Sequence, residues 1–151
     1  MDFVIRPLSP EDEPILWEAL SQGLQGTAGS APARAEIAQR PELTRYVEGW
    51  GREGDRGFVA NDTHDQRLLG AVWFRPPPAG APPELAFTVA PGHRKRGIGA
   101  ALLTQWVRAN PEQSEVSLRV PASHTAVRLY ERFGFHVARE EGGSVTLRRD
   151  I

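Results

Sequence analysis

Cysteine is absent from the 151 residues, which excludes disulfides, thiolate metal sites and an acyl-cysteine intermediate. A covalent acyl relay would need another nucleophile. Excess charge of one sign is also missing, because 18 Lys and Arg face 19 Asp and Glu for a formal net charge of -1, with both signs spread along the chain. No broad basic surface for nucleic acid is implied. Long hydrophobic runs are lacking too. The N-terminus, MDFVIRPLSPEDEP, has acids and prolines where a signal peptide is apolar, and no later stretch is long enough to cross a membrane. The expectation is a soluble cytoplasmic protein with no membrane partner. A chain of 151 residues suits one domain, residues 1–151, with one core and no room for a second catalytic domain. There is no internal repeat, and only the proline run at 76–83 has low complexity.

What is present alternates between strand and helix signals. Phe3 to Arg6 reads as a strand, and Ser9-Pro10-Glu11-Asp12 then opens a helix with an N-cap hydroxyl, an N1 proline and early acids. Ile15, Leu16, Ala19 and Leu20 recur at helical spacing until the Gly, Ala and Ser-rich stretch from Ser21 to Ala33, which reads as a surface loop. A second helical segment broken at Pro41 is expected from Arg34 to Trp50, with Leu43, Tyr46, Val47 and Trp50 on one side. Gly57 to Asn61 and Leu68 to Phe74 form an antiparallel hairpin pattern, and the prolines after Arg75 connect it to the next strand. A helix from about Gly97 buries Ile98, Leu102, Leu103 and Trp106, and Asn110-Pro111 ends it. Glu115 to Val120 reads as a strand, Ser123 to Phe133 as a helix, and Phe135 to Ala138 with Ser144 to Arg148 as a closing hairpin around Gly142-Gly143. Trp17, Trp50 and Trp73 read as core.

The most informative stretch is Glu84 to Leu103, ELAFTVAPGHRKRGIGAALL, in which an apolar strand runs through a basic, glycine-bearing turn into a helix. That order builds an anion site, because unpaired N–H groups at the helix start and the positive end of its dipole attract phosphate. Arg94, Lys95 and Arg96 add charge there, while Gly97 and Gly99 lack the Cβ atoms that keep a ligand off the backbone. A dinucleotide fold is disfavoured, since Ala101-Leu102 stands where its third glycine belongs and the turn is long and basic. The phosphate-loop pattern also fails, for no Lys-Ser or Lys-Thr pair follows the glycines.

Arg94-Lys95-Arg96-Gly97-Ile98-Gly99 is similar to the Arg/Gln-x-x-Gly-x-Gly/Ala signature of the Gcn5-related N-acetyltransferases (GNAT), and Val89-Ala90-Pro91 before it and Ala101-Leu102-Leu103 after it resemble that family as well. Downstream, Ala126-Val127-Arg128-Leu129-Tyr130-Glu131-Arg132-Phe133-Gly134-Phe135 resembles the family's A-x-x-L-Y-x-x-x-G-F segment. Order and separation of the two motifs fit, and the element order fits over nearly the whole chain. The resemblance implies an α/β, single-domain GNAT fold. Its mixed, mostly antiparallel twisted sheet would be flanked by helices, with a splayed parallel strand pair binding acetyl-CoA.

The resemblance also implies an acetyl-CoA-dependent N-acetyltransferase that moves the acetyl group directly to a primary amine in a ternary complex. Arg94, Lys95, Arg96, Gly97, Ile98, Gly99 and Ala100 would hold the pyrophosphate. Phe87 and Val89 lie on the strand that pairs with pantetheine, Val89 being the expected hydrogen-bond partner, and one strand N–H can stabilise an oxyanion. Ser123 stands where the family commonly has Asn, and its shorter side chain makes fewer hydrogen bonds to the pantetheine arm. Tyr130 would protonate the departing thiolate, its phenol being protonated at neutral pH. Glu84, at the start of the same strand, is the candidate base for the acceptor amine, directly or through water. Ser21 to Ala33 and Arg139 to Ser144 would shape the acceptor pocket, with Glu140 and Glu141 drawing a cationic amine.

The acceptor would be a small-molecule amine or a protein N-terminus, and dimers are common in the resembling family. His93 and His124 each adjoin a motif, but neither they nor His64 and His136 have metal-ligand spacing, so no metal is implied. An opposing reading is a non-catalytic CoA-binding sensor or interaction module with the same fold. A nucleic-acid binder using Arg94 to Arg96 lacks a wider basic face.

Overall fold

The computed structural model describes residues 3–24, 34–77, 84–90, 97–110, 116–121, 128, 130–141 and 144–149. Strand β1, Phe3–Pro7, leads through a short 3-10 turn, Pro10–Asp12, into helix α1, Glu13–Leu24. Asp12 fixes this entry. Its carboxylate accepts from the Ser9 backbone N–H at 2.7 Å and from both terminal nitrogens of Arg6 at 2.9 and 3.0 Å, so strand and helix start are tied together. Helix α1 continues through Ser21 to Leu24, past the point where Gly, Ala and Ser were expected to stop it. One glycine inside a helix costs about 1 kcal/mol relative to alanine. Burial of Leu16, Trp17, Ala19 and Leu20 on the same helix outweighs that. The rest of that expected loop, 25–33, lies outside the described residues.

The segment from Arg34 breaks at Pro41 as expected, into α2, Arg34–Ala38, and α3, Pro41–Thr44. It does not stay helical to Trp50. Turns replace the helix after Thr44, and Gly49 and Gly51 take positive φ of 69° and 109°, a region glycine enters without a Cβ penalty.

Strands β2, Arg56–Asp62, and β3, Leu68–Phe74, form the expected hairpin, and β4, Leu85–Val89, adds antiparallel to β3. The order of this sheet is β1-β2-β3-β4. Every residue of β3 is buried, which its uninterrupted apolar sequence LLGAVWF requires of a strand covered on both faces. Ala71 and Trp73 meet α1 on one face, together with Leu16, Val47, Trp50 and Val59. On the other face Val72 and Phe74 meet α4, Ile98–Ala109, through Ile98, Leu102, Leu103 and Trp106. Gly70 permits that approach, because a Cβ there would lie 2.8 Å from the Thr88 carbonyl and 3.1 Å from a Leu102 methyl.

Three further strands, β5, Val116–Pro121, β6, Phe135–Glu141, and β7, Ser144–Arg149, make a second antiparallel sheet ordered β5-β7-β6. The closing hairpin is therefore longer than its sequence signal, and β7 lies between β5 and β6. All pairings among the described residues are antiparallel. Strands β4 and β5, expected as a splayed parallel pair, each end their own sheet and approach one another without a ladder between them. The fold is thus mixed α/β with antiparallel sheets flanked by helices.

Candidate active site

Strand β4 organises the site because it is an edge. Its inner side pairs with β3, while no strand among the described residues pairs with its outer side. Main-chain groups on such an edge are available to an extended ligand. Alternation gives the strand two chemical faces. Leu85 and Phe87 join the core under α4. Glu84, Ala86 and Thr88 point the other way, and Ala86 packs with the α1 cluster.

Gly97 caps α4 in the left-handed conformation, φ 83° and ψ -1°, and its carbonyl accepts the Ala101 N–H at 3.0 Å. A Cβ at this position would meet nothing within 4 Å among the described residues. The first-turn N–H groups of Ile98, Gly99 and Ala100 have no intrahelical acceptor. Those three residues can serve a ligand through the backbone, since the Ile98 side chain is wholly buried. A pyrophosphate fits such a start. Arg94, Lys95, Arg96 and Ser123 lie outside the described residues, as do His93 and His124.

Tyr130 is brought against β4. Its ring meets Phe87 edge-on at 5.5 Å between centroids and Phe135 at 6.2 Å, so the second motif packs directly onto the strand ahead of the first. The residue is 4% exposed, and burial pushes its phenol well above the ordinary value of 10. The hydroxyl therefore stays protonated throughout the working range.

Glu84 sits apart from Tyr130, in a polar cluster that the sequence did not announce. The Tyr46 hydroxyl donates to Glu84 Oε2 at 2.5 Å, and Arg45 Nη2 donates to Glu84 Oε1 at 3.0 Å and to the Tyr46 oxygen at 2.8 Å. The Arg45 guanidinium also lies over the Tyr46 ring, 4.2 Å from its centroid. Trp73 anchors the same residue from below, its indole N–H donating to the Tyr46 carbonyl at 2.8 Å. Tyr46 was read only as part of an apolar helix side. Its partner lies 38 positions away, so no local pattern pairs them.

Two more polar atoms escaped the sequence reading. Thr88 Oγ1 and Gln22 Oε1 are buried and have no hydrogen-bond partner among the described residues. Glu140 and Glu141 occupy the end of β6, with Glu141 opposite Ser144 on β7. Among the described residues no group of three or more His, Asp or Glu is placed to hold a metal ion. No helix among them is long and apolar enough to cross a membrane.

Solved structures share this architecture over almost their whole length. PaiA N-acetyltransferase from Thermoplasma acidophilum, in complex with coenzyme A, is 18% identical with a TM-score of 0.67, covering 100% of both chains. Ribosomal-protein-alanine N-acetyltransferase from Brucella melitensis is 17% identical with a TM-score of 0.64, covering 98% of this chain and 99% of that one. Arabidopsis thaliana NAA60, in complex with acetyl-CoA, is 20% identical with a TM-score of 0.63, covering 99% of this chain and 98% of that one. No curated protein sequence matches the chain. Residues 53–137, more than half of the chain, match the family described as acetyltransferase (GNAT) domain. That match spans the hairpin, β4, the capped helix α4 and Tyr130, and the chain belongs to the GNAT family of acetyltransferases.

Proposed function

We propose that the protein is an acetyl-CoA-dependent N-acetyltransferase that passes the acetyl group directly to a primary amine within a ternary complex, with residues 1–151 acting as one domain. The observation that carries this reading is the junction of three elements. Phe87, on the edge strand β4, meets Tyr130 edge-on and packs against the core cluster that contains Ile98, the first residue of α4. The complexes of PaiA N-acetyltransferase with coenzyme A and of NAA60 with acetyl-CoA support the choice of donor.

In this reading Ile98, Gly99 and Ala100 hold the pyrophosphate through backbone N–H groups, aided by Arg94, Lys95 and Arg96. Gly97 leaves the approach open. The pantetheine runs between β4 and β5 as a splayed pair, with Val89 as its main-chain partner, Phe87 beneath it and Ser123 on its far side. Acetyl-CoA, when bound, supplies a thioester carbonyl that a neutral amine can attack. Glu84 takes the proton that the amine must lose, since most alkyl amines are protonated at pH 7. Each of its oxygens already accepts one bond, from Arg45 or Tyr46, which fixes the carboxylate and leaves lone pairs for a proton arriving through water. Tyr130 gives a proton to the sulfur as the C–S bond breaks and regains one from solvent, because its desolvated phenolate is unfavourable. A β4 backbone N–H stabilises charge on the carbonyl oxygen. Positioning supplies most of the rest.

Ribosomal-protein-alanine N-acetyltransferase is among the similar structures, so protein N-termini belong in the acceptor panel beside small amines. The test is thiol release from acetyl-CoA with such a panel, for the parent, Tyr130→Phe and Glu84→Gln. The parent is expected to release thiol with at least one amine. Tyr130→Phe should lower kcat about 10-fold or more, and Glu84→Gln should lower kcat/KM for the amine by a similar factor. Binding of acetyl-CoA without turnover by any amine would refute the reading in favour of a sensor module.

A further inference from the structure

We propose that Arg45 determines acceptor specificity by binding a carboxylate beside the reacting amine, so that the preferred acceptor is a free α-amino acid. The proposal rests on the transferase reading above, in which Glu84 takes the proton of the amine.

Arg45 is held in place and only partly used. Its Nη2 donates to Glu84 Oε1 at 3.0 Å and to the Tyr46 oxygen at 2.8 Å, while the guanidinium carbon lies 4.2 Å from the centre of the Tyr46 ring. The backbone is fastened as well, since Arg75 donates to the Arg45 carbonyl at 3.4 Å and Trp73 to the Tyr46 carbonyl at 2.8 Å. A guanidinium carries five N–H donors. Those on Nε and Nη1 have no hydrogen-bond partner among the described residues. The Arg45 side chain is 53% exposed and that of Glu84 21%, so a ligand reaches both from solvent without a cavity having to open. An oriented fork with spare donors suits a carboxylate, which it can bind through two parallel bonds.

Charge decides between acceptors. Arg45 and Glu84 are neutral as a pair, and an alkylammonium brought to Glu84 alone would place a second cation beside Arg45, which repels it. A zwitterion brings its own anion. With its ammonium on a free lone pair of Glu84 and its carboxylate on Arg45, every charge has opposite neighbours in a closed ring. Adjacency on the protein sets the spacing on the ligand. Arg45 and Glu84 meet at 3.0 Å, so the amine and the carboxylate must be close neighbours, as they are across the α-carbon of an amino acid. A peptide N-terminus offers only a neutral carbonyl there, which leaves the guanidinium charge unanswered, and a polyamine offers another cation.

The experiment measures kcat/KM for matched pairs, glycine with glycinamide and leucine with leucinamide, in the parent, Arg45→Met and Arg45→Lys. Acid and amide differ in amine basicity, but that difference cancels when the acid-to-amide ratio of a variant is compared with the parent's. Arg45→Met should lower the ratio at least 10-fold for both pairs, through the KM of the acid. Arg45→Lys keeps the charge and loses the fork, so it should retain part of the ratio. The Arg45 ion pair is exposed and contributes little to stability, so Arg45→Met should melt close to the parent. A role in the fold or in orienting Glu84 would slow acid and amide together and leave the ratio as it was, which would overturn the proposal. A parent that acetylates other amines but neither acid would overturn it too. In both cases the transferase reading stands. A parent that releases no thiol with any amine would refute that reading, and the proposal with it.

Discussion

Replacing Arg75 with methionine is expected to cost about 3–5 kcal/mol of folding stability, the range for removing one partner of a buried ion pair. The side chain is 13% exposed, and its Asp55 partner is 2% exposed. Its Nη2 lies 3.1 Å from Asp55 Oδ2, and its Nε donates to Oδ1 at 3.2 Å. At an effective dielectric of about 20, a 3.1 Å pair attracts by about 5 kcal/mol before desolvation is subtracted. An exposed pair such as Arg67–Asp65, at 4.0 Å, contributes at most about 1 kcal/mol. Arg75 also donates to the carbonyls of Glu48 at 2.6 Å, Gly49 at 3.2 Å and Arg45 at 3.4 Å. Those carbonyls end the turns that follow α3, so the guanidinium fastens the segment bearing Arg45 and Tyr46 to the end of β3. Loss of the cation leaves Asp55 buried with only the Gly51 and Arg52 N–H groups, at 3.1 and 3.0 Å. For a chain of this size the expected fall in Tm is about 10 °C. Urea unfolding of Arg75→Met, Asp55→Asn and the double variant measures it, and the cycle should show a coupling of at least about 1 kcal/mol. A loss below about 1 kcal/mol for Arg75→Met would refute the buried-pair argument. A full loss of stability with unaltered acceptor KM would refute the link from Arg75 to Tyr46.

Asp12 should make the fold acid-sensitive. The Arg6 hydrogen bond holds its carboxyl below the ordinary 3.8, so its contribution is present above that value and lost as pH falls through the lower folded value; urea midpoints for Asp12→Asn should accordingly depend less on pH below about 4. Gly97→Ala places a Cβ at φ 83° with nothing within 4 Å among the described residues, so strain of roughly 1–2 kcal/mol is the structural cost. Its KM for acetyl-CoA should rise by more than its stability falls, whereas an unchanged KM would detach Gly97 from the donor. Gly57→Ala should fail to give soluble folded protein, because its Cβ would collide with the Val72 carbonyl and come within 2.7 Å of the Trp73 backbone. Near-parental melting of that variant would show that β2 and β3 can separate there.

Elements whose burial is written in one run of residues were legible in the sequence. Leu68 to Phe74 is apolar throughout and is buried throughout. The turn into α4 declared itself because only glycine accepts φ 83° at its cap without strain. What depended on distant partners was not legible. The insertion of β7 between β5 and β6 is fixed by pairings such as Leu118 with Leu147 and Val137 with Leu147, and neither strand's alternation names its neighbour. Likewise Tyr46 presented a periodic aromatic and Glu84 an isolated acid. Trp73, near the end of β3, bonds the Tyr46 carbonyl, and Arg75 just after β3 bonds the carbonyls of Arg45, Glu48 and Gly49 around it, which fixes the segment for that contact.

Alternation gives β4 two faces of different chemistry. Thr88 is buried, and valine there would have the same shape with no polar group to desolvate. On the α4 face the strand shows Leu85, Phe87 and Val89, all of them apolar. On the α1 face it shows Glu84, Ala86 and Thr88, and the Ala86 methyl between the carboxylate and the hydroxyl packs against the α1 cluster. An acyl donor and an amine acceptor must approach one carbonyl from different sides. A period of two along five residues supplies both sides from one strand. Exchanging the two faces, by moving the polar residues one position along β4, would bury Glu84 under α4 and take it from Arg45 and Tyr46.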